Sequence, residues 1–170
     1  MQRALLLIIM LGLISCTKKN EADNFDMFVF SASGEPEDYS LKFTPSDTVY
    51  MQRRYPRPEK IFYTLINQAE KDSFNLARIK IDFTKYDSIY FQQNMVDGET
   101  IKFYSITKGK SSSILFYGHK APKELYDYDD WFIRFKETHK FHATLSKQDF
   151  GNLHNILLPP PPPVELYLKK

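Results

Sequence analysis

The sequence predicts an α+β fold, a single domain with a mostly antiparallel, aromatic-rich sheet and two or three helices. Three observations carry this reading. Short segments alternate apolar and polar residues with a period of two, as half-buried strands do, and turn residues separate them. One longer segment, 122–138, repeats its apolar residues at steps of three and four, as an amphipathic helix does. The 170 residues also hold 14 Phe and 11 Tyr but only 6 Gly, a composition that suits pleated, half-buried surfaces.

The first sixteen residues have a different character. Gln2 and Arg3 give a short, positively charged start, and Ala4 to Ile14 follow as an uncharged apolar run. That run is shorter than the roughly 20 residues needed to cross a hydrocarbon core and has the length of a signal-peptide core. The small residue Ser15 comes next, then Cys16, the only cysteine. Leu13-Ile14-Ser15-Cys16 resembles the lipobox of bacterial lipoproteins. The resemblance implies cleavage after Ser15, a diacylglyceryl group on the Cys16 sulfur and an acyl group, palmitate in the usual case, on the new amine. Two or more chains anchor a protein stably where one does not. These covalent groups are the only cofactor-like chemistry expected. Thr17 is not the Asp that, by the enterobacterial rule, would hold a lipoprotein at the inner membrane. Lys18-Lys19-Asn20-Glu21-Ala22-Asp23 partly resembles the surface-export signal of Bacteroidota lipoproteins, with Asn20 interrupting it. The expected location is the outer membrane, with either face open. In layout the whole chain resembles the small lipoproteins common in Bacteroidota, a likeness that brings no particular activity.

The organisation that follows is a signal peptide at 1–15, a lipidated Cys and flexible tether at 16–24, a globular domain at 25–158 and a proline-rich tail at 159–170. Cleavage after Ser15 would leave 155 of the 170 residues, the size of one domain. With Cys16 acylated, no thiol is left for disulfides, catalysis or metal binding. The formal net charge of +2 loses Arg3 with the signal. Near-neutral charge is the opposite of the broad basic field that nucleic-acid binders use, so no nucleic-acid partner is expected.

Within the domain, 26–31 reads as a first strand and Gly34-Glu35-Pro36 as a turn. Tyr39, Leu41 and Phe43 alternate with Ser40, Lys42 and Thr44, and 48–53 returns after Pro45-Ser46-Asp47, so 39–53 is expected to be a hairpin. The two prolines of Tyr55-Pro56-Arg57-Pro58 favour an extended loop, and 60–66 resumes as a strand. Over 67–83 two periods compete. Phe74, Ala77 and Ile81 suit one helix face, with Asp72 or Ser73 as a cap, whereas Ala77, Ile79, Ile81 and Phe83 alternate as in a strand. A faint echo between 62–76 and 141–153 leans towards helix over 68–79. Residues 88–93, 100–106 and 113–117 read as a three-strand meander, with Asp97-Gly98 as the first turn. Pro122 suits the first residue of the helix at 122–138. A short strand at 141–145 and a second helix at 147–157, opened by a capping box over Ser146 to Asp149, complete the domain. Pro159 to Pro163 cannot continue that helix. The proline run either docks on a partner or packs on the chain's own aromatics, and Val164 to Leu168 is an edge strand or a tail.

Candidate chemistry is sparse. His139 and His142 are close in sequence but fall where helix gives way to strand, so their rings are not expected to share a face. No third or fourth ligand stands at metal spacing, and no metal is expected. His154 has helical spacing with Phe150, Leu153 and Leu157, which suits the edge of a core. Glu124, Asp127, Asp129 and Asp130 lack the loop of a calcium site and read as acids that favour the helix dipole. No Gly-x-Ser-x-Gly elbow, Walker loop or Gly-x-Gly-x-x-Gly occurs. Arg53, Arg54, Arg57 and Lys60, around Tyr55, form the one basic patch, a candidate surface for anions or a partner. The expected function is that of a membrane-anchored binding or scaffolding module, held to the membrane by its lipids and meeting an envelope protein. The alternative is an envelope enzyme or enzyme inhibitor whose site is assembled from distant residues.

Overall fold

The computed structural model describes residues 25–34, 36–95 and 98–153. Its strands are β1 (Met27–Ser33), β2 (Asp38–Phe43), β3 (Thr48–Tyr55), β4 (Lys60–Leu65), β5 (Ile89–Phe91), β6 (Thr100–Thr107), β7 (Lys110–Tyr117) and β8 (His142–Thr144). Its helices are α1 (Gln68–Ile79) and α2 (Lys123–Thr138). The strands form one sheet in the order β5-β7-β6-β1-β2-β3-β4-β8. Every neighbouring pair is antiparallel except β5 and β7. The fold is a single α+β domain, and both helices pack on one face of the sheet.

β1 lies in the sheet interior because it is covered on both sides, and all seven of its residues are buried. Alternation sends Phe28, Phe30 and Ala32 towards the helices and Met27, Val29, Ser31 and Ser33 to the other face. On the helix side the core is a lattice of rings. Phe132 of α2 stacks on Phe30 (4.9 Å, 11°) and on Phe28 (5.4 Å, 17°), and Phe74 of α1 stacks on Phe43 (4.1 Å, 5°). Such pairs contribute about 0.5–1.5 kcal/mol each beyond the area they bury.

Within 67–83 the helical period prevails over 68–79, as α1, because of its start. The Asn67 side chain accepts from Glu70 N (3.1 Å) and the Glu70 carboxylate accepts from Asn67 N (2.7 Å), a reciprocal capping box. The cap is Asn67, not Asp72 or Ser73.

Two expected features are corrected. The meander over 88–117 does not form, because β5 pairs in parallel with β7 on the far side from β6. Gly98 is not there to turn a hairpin. A Cβ on it would lie 2.5 Å from the Tyr117 ring, and the Tyr117 hydroxyl donates to Met95 O (2.8 Å). Met95 and Gly98 thus both lie against the Tyr117 side chain between β5 and β6. The helix over 147–157 is also absent from its described part, where 145–153 carries no regular structure. The Asp149 carboxylate accepts from Gly151 N (2.7 Å), a local turn in place of a helix cap. Gly151 has a left-handed φ of +70°, and a Cβ there would lie 2.4 Å from Tyr104. Only glycine permits both. This segment instead straps the second face of the sheet. Phe150 packs on Met27 and Val29, Lys42 Nζ donates to Gln148 Oε1 (3.1 Å), and Lys102 Nζ donates to Asn152 O (2.7 Å). The signal, tether, His154, proline run and final strand reading fall outside the described residues.

Candidate functional site

The concave surface of interest lies between the helices, a groove of about 400 Å³, within the range of ligand sites. α1 contributes Glu70 and Ser73, and α2 contributes Asp127, Trp131, Arg134, Phe135 and Thr138. His139, the C-cap of α2, closes one end. Trp131, Phe135 and His139 recur every four residues and so stand on one face of the helix. Their rings stack in sequence, Trp131 on Phe135 at 5.5 Å and Phe135 on His139 at 3.9 Å. Trp131, the only tryptophan, also touches Phe43 and Phe74 at the edge of the core.

The rim is polar. His139 Nδ1 lies 2.8 Å from Phe135 O, and Nε2 lies 3.1 Å from Glu70 Oε1. The Asn67 N–H, and then His139, hold the Glu70 carboxyl below its usual range. Lys123 pairs with Asp127 (2.5 Å) and Arg134 with Asp130 (3.8 Å), both in the open, so these pairs contribute little to stability.

The acids of 124–130 part company around the helix. Asp127 enters the groove and Asp130 faces Arg134. Asp129 turns inward and is 7% exposed, and its Oδ1 has no hydrogen-bond partner. It does not simply serve the helix dipole. Burial, and then the charges of Glu99 and Asp130, push its carboxyl up to about 8. Tyr39 beside it is raised by burial and by Asp129. Nearby, Lys136 pairs with Glu37 and lies over the Tyr39 ring.

The four residues of the basic patch divide. Neighbouring residues on a strand point to opposite faces, so Arg53 and Arg54 separate. The Arg53 guanidinium stacks over Phe62 (5.4 Å). Arg54 donates to Ser40 Oγ (2.5 Å), Ala32 O and Tyr39 O (both 3.2 Å) and pairs with Asp38 (3.7 Å). Burial lowers its pKa, and Asp38 opposes that shift. Arg57 and Lys60 are exposed at the hairpin tip with Tyr55, where the Tyr55–Pro56 and Arg57–Pro58 peptides are cis. His142 lies on edge strand β8 across from Tyr63. Cys16 and Ser15 lie outside the described residues. Among the described residues no three His, Cys, Asp or Glu side chains converge as metal ligands, and no helix is long and apolar enough to cross a membrane.

Trp131, Arg134 and Glu70 were not expected as groove residues. The Asn67-x-x-Glu70 box and the four-residue spacing from Trp131 to His139 were available signals, but the meeting of two helices far apart in sequence was not. No protein-family model matches the chain, and no curated protein or solved structure shows significant similarity to it.

Proposed function

We propose that this chain is an outer-membrane lipoprotein, tethered through Cys16, whose domain is an interaction module with the interhelical groove as its binding surface for an envelope protein. The observation that carries this reading is the groove itself, with its aromatic floor, polar rim and a Trp and an Arg three residues apart on one helix. Trp and Arg are the residue types that dominate binding hot spots. The groups an enzyme would need to gather do not meet: His139 caps the groove, His142 sits on an edge strand, and Asp129 points into the core.

The tether fits the same reading. The nine residue steps from Cys16 to Phe25 reach at most about 32 Å, which keeps the domain close to the bilayer. Phe25 packs on Phe74 of α1 (5.6 Å) and under the Arg78 guanidinium (4.5 Å). α1, one wall of the groove, therefore lies where the tether enters the domain.

Arg134 is exposed and weakly paired, so Arg134→Glu tests the groove without disturbing the core. In-cell crosslinking of the tagged chain is expected to capture one dominant envelope protein. Arg134→Glu and Cys16→Ala each reduce that capture at least tenfold. Equal capture by all three chains refutes the reading.

A further inference from the structure

We propose that the chain's own next segment docks on the second face of the sheet, with Ile156-Leu157-Leu158 over an apolar strip of β7 and β5 and the proline run continuing against the Phe91 ring. The occupant is intramolecular, and the proline run is not a ligand for another protein. This docking does not rest on the groove.

The course of the strap carries the inference. It crosses strands in the order in which they stand in the sheet. Gln148 takes the Lys42 ammonium of β2 (3.1 Å), Phe150 packs on Met27 and Val29 of β1, and Gly151 lies against Tyr104 of β6. Asn152 O then accepts from Lys102 Nζ (2.7 Å), two residues away on β6. Lys102 is 4% exposed, and a hydrogen bond from a charged donor is stronger than a neutral one. The chain is thus delivered to β6, with β7 and then β5 next in line.

What stands there is apolar. Lys102 is opposite Leu115 on β7 and Thr100 is opposite Tyr117, while Leu115 and Tyr117 are opposite Ile89 and Phe91 on β5. Opposite residues share a face of the sheet, so this strip lies on the side of the strap. Phe91 stacks on Tyr117 (5.3 Å, 23°). At the β5 edge Ile89 is 58% and Phe91 45% exposed, two large apolar side chains together on one face rather than scattered singly.

Chain length and chemistry select the occupant. Neighbouring strands are about 4.8 Å apart, so β5 lies about 10 Å from β6. Ile156, four residues past Asn152, reaches at most about 14 Å. The first apolar run after the strap, Ile156-Leu157-Leu158, therefore becomes available at the distance of the apolar strip. Pro159 to Pro163 have no N–H with which to pair along the open edge of β5, so they lie against rings rather than add a strand. Their stiff extended backbone loses little entropy on docking to aromatic groups. The interhelical groove lies on the opposite face of the sheet, away from the side on which the strap delivers the chain.

The test is photo-crosslinking of the full chain in dilute detergent micelles, from a photoreactive side chain in place of Ile89. Leu65 on β4, 67% exposed, is the control position. Mixing nitrogen-15-labelled and unlabelled chains separates adducts within one chain from those between two. The expected result is an adduct within one chain from Ile89 to 154–163, with none to that segment from Leu65. In addition, Ile89→Asp is expected to speed chymotrypsin cleavage after Leu157 at least tenfold while 145–153 stays resistant. An adduct that joins two chains, an envelope protein captured from Ile89 in cells, the absence of any adduct to 154–163, or equal cleavage with and without Ile89→Asp overturns the docking.

Discussion

Asp129 is the residue whose surroundings most oppose its ionised form. Its carboxyl is raised to about 8 from 3.8 by burial first and by Glu99 and Asp130 second. The folded chain therefore binds more protons than the unfolded chain between those two values. Stability from this group is full below about pH 4, falls as pH rises, and is lost by about pH 8. Asp129→Asn is expected to flatten that slope and to stabilise the domain at pH 8 by a few kcal/mol, since each tenfold change in proton affinity is worth about 1.4 kcal/mol. Urea unfolding of both chains at several pH values checks this, and parallel pH slopes would contradict it. Part of Asp129 was legible. Its spacing from Leu125 and Phe132, four and three residues away, puts it on the buried stripe of α2. The charge of Glu99, thirty residues earlier, was not, because only the fold brings two residues so far apart in sequence together. Arg53 and Arg54 teach the same lesson. Strand alternation alone separates them, and a cluster in sequence is not a patch in space.

At the scale of elements, local chemistry was readable where it was self-contained. The three- and four-residue spacing of Leu125, Tyr128, Phe132 and Phe135 sets the face of α2, whereas the Asn67 capping box that starts α1 was passed over for Asp72 or Ser73. Asn67→Ala is expected to cost about 1 kcal/mol, read as a lower urea midpoint with an unchanged slope. What misled was chemistry that serves a distant contact. Asp97-Gly98 carries the signature of a hairpin, yet Gly98 is glycine because the Tyr117 ring lies against it. Ser146 to Asp149 carries the signature of a helix start, yet Gly151 bends the chain onto Tyr104, where Lys42 and Lys102 hold the strap. Phe150 is 3% exposed and closes the small second core with Met27 and Val29. Phe150→Ala is expected to cost about 3 kcal/mol. Hydrogen exchange would then rise first in 145–153 while β1 and β6 stay protected. Uniform exchange across the sheet would show that the strap is not a separate unit.

At the scale of the whole molecule, the sheet makes two unequal surfaces. One carries both helices and the groove, and the other is closed by the strap. The proposed anchor adds orientation, because the chain enters β1 beside α1 and so presents the same helix to the tether and to the groove. The fold class was legible from periodicity and aromatic content. The parallel placement of β5 and the strap were not, since both depend on contacts between residues far apart in sequence.

The central claim is that the groove docks an envelope protein when the chain is anchored. The most direct measurement is site-specific photo-crosslinking in cells from Ser73, on the groove wall, beside Ser112, exposed on β7. One discrete adduct from Ser73, absent from Ser112 and lost with Cys16→Ala, is the predicted result. The same scatter of adducts from both positions, unchanged by Cys16→Ala, would contradict the account.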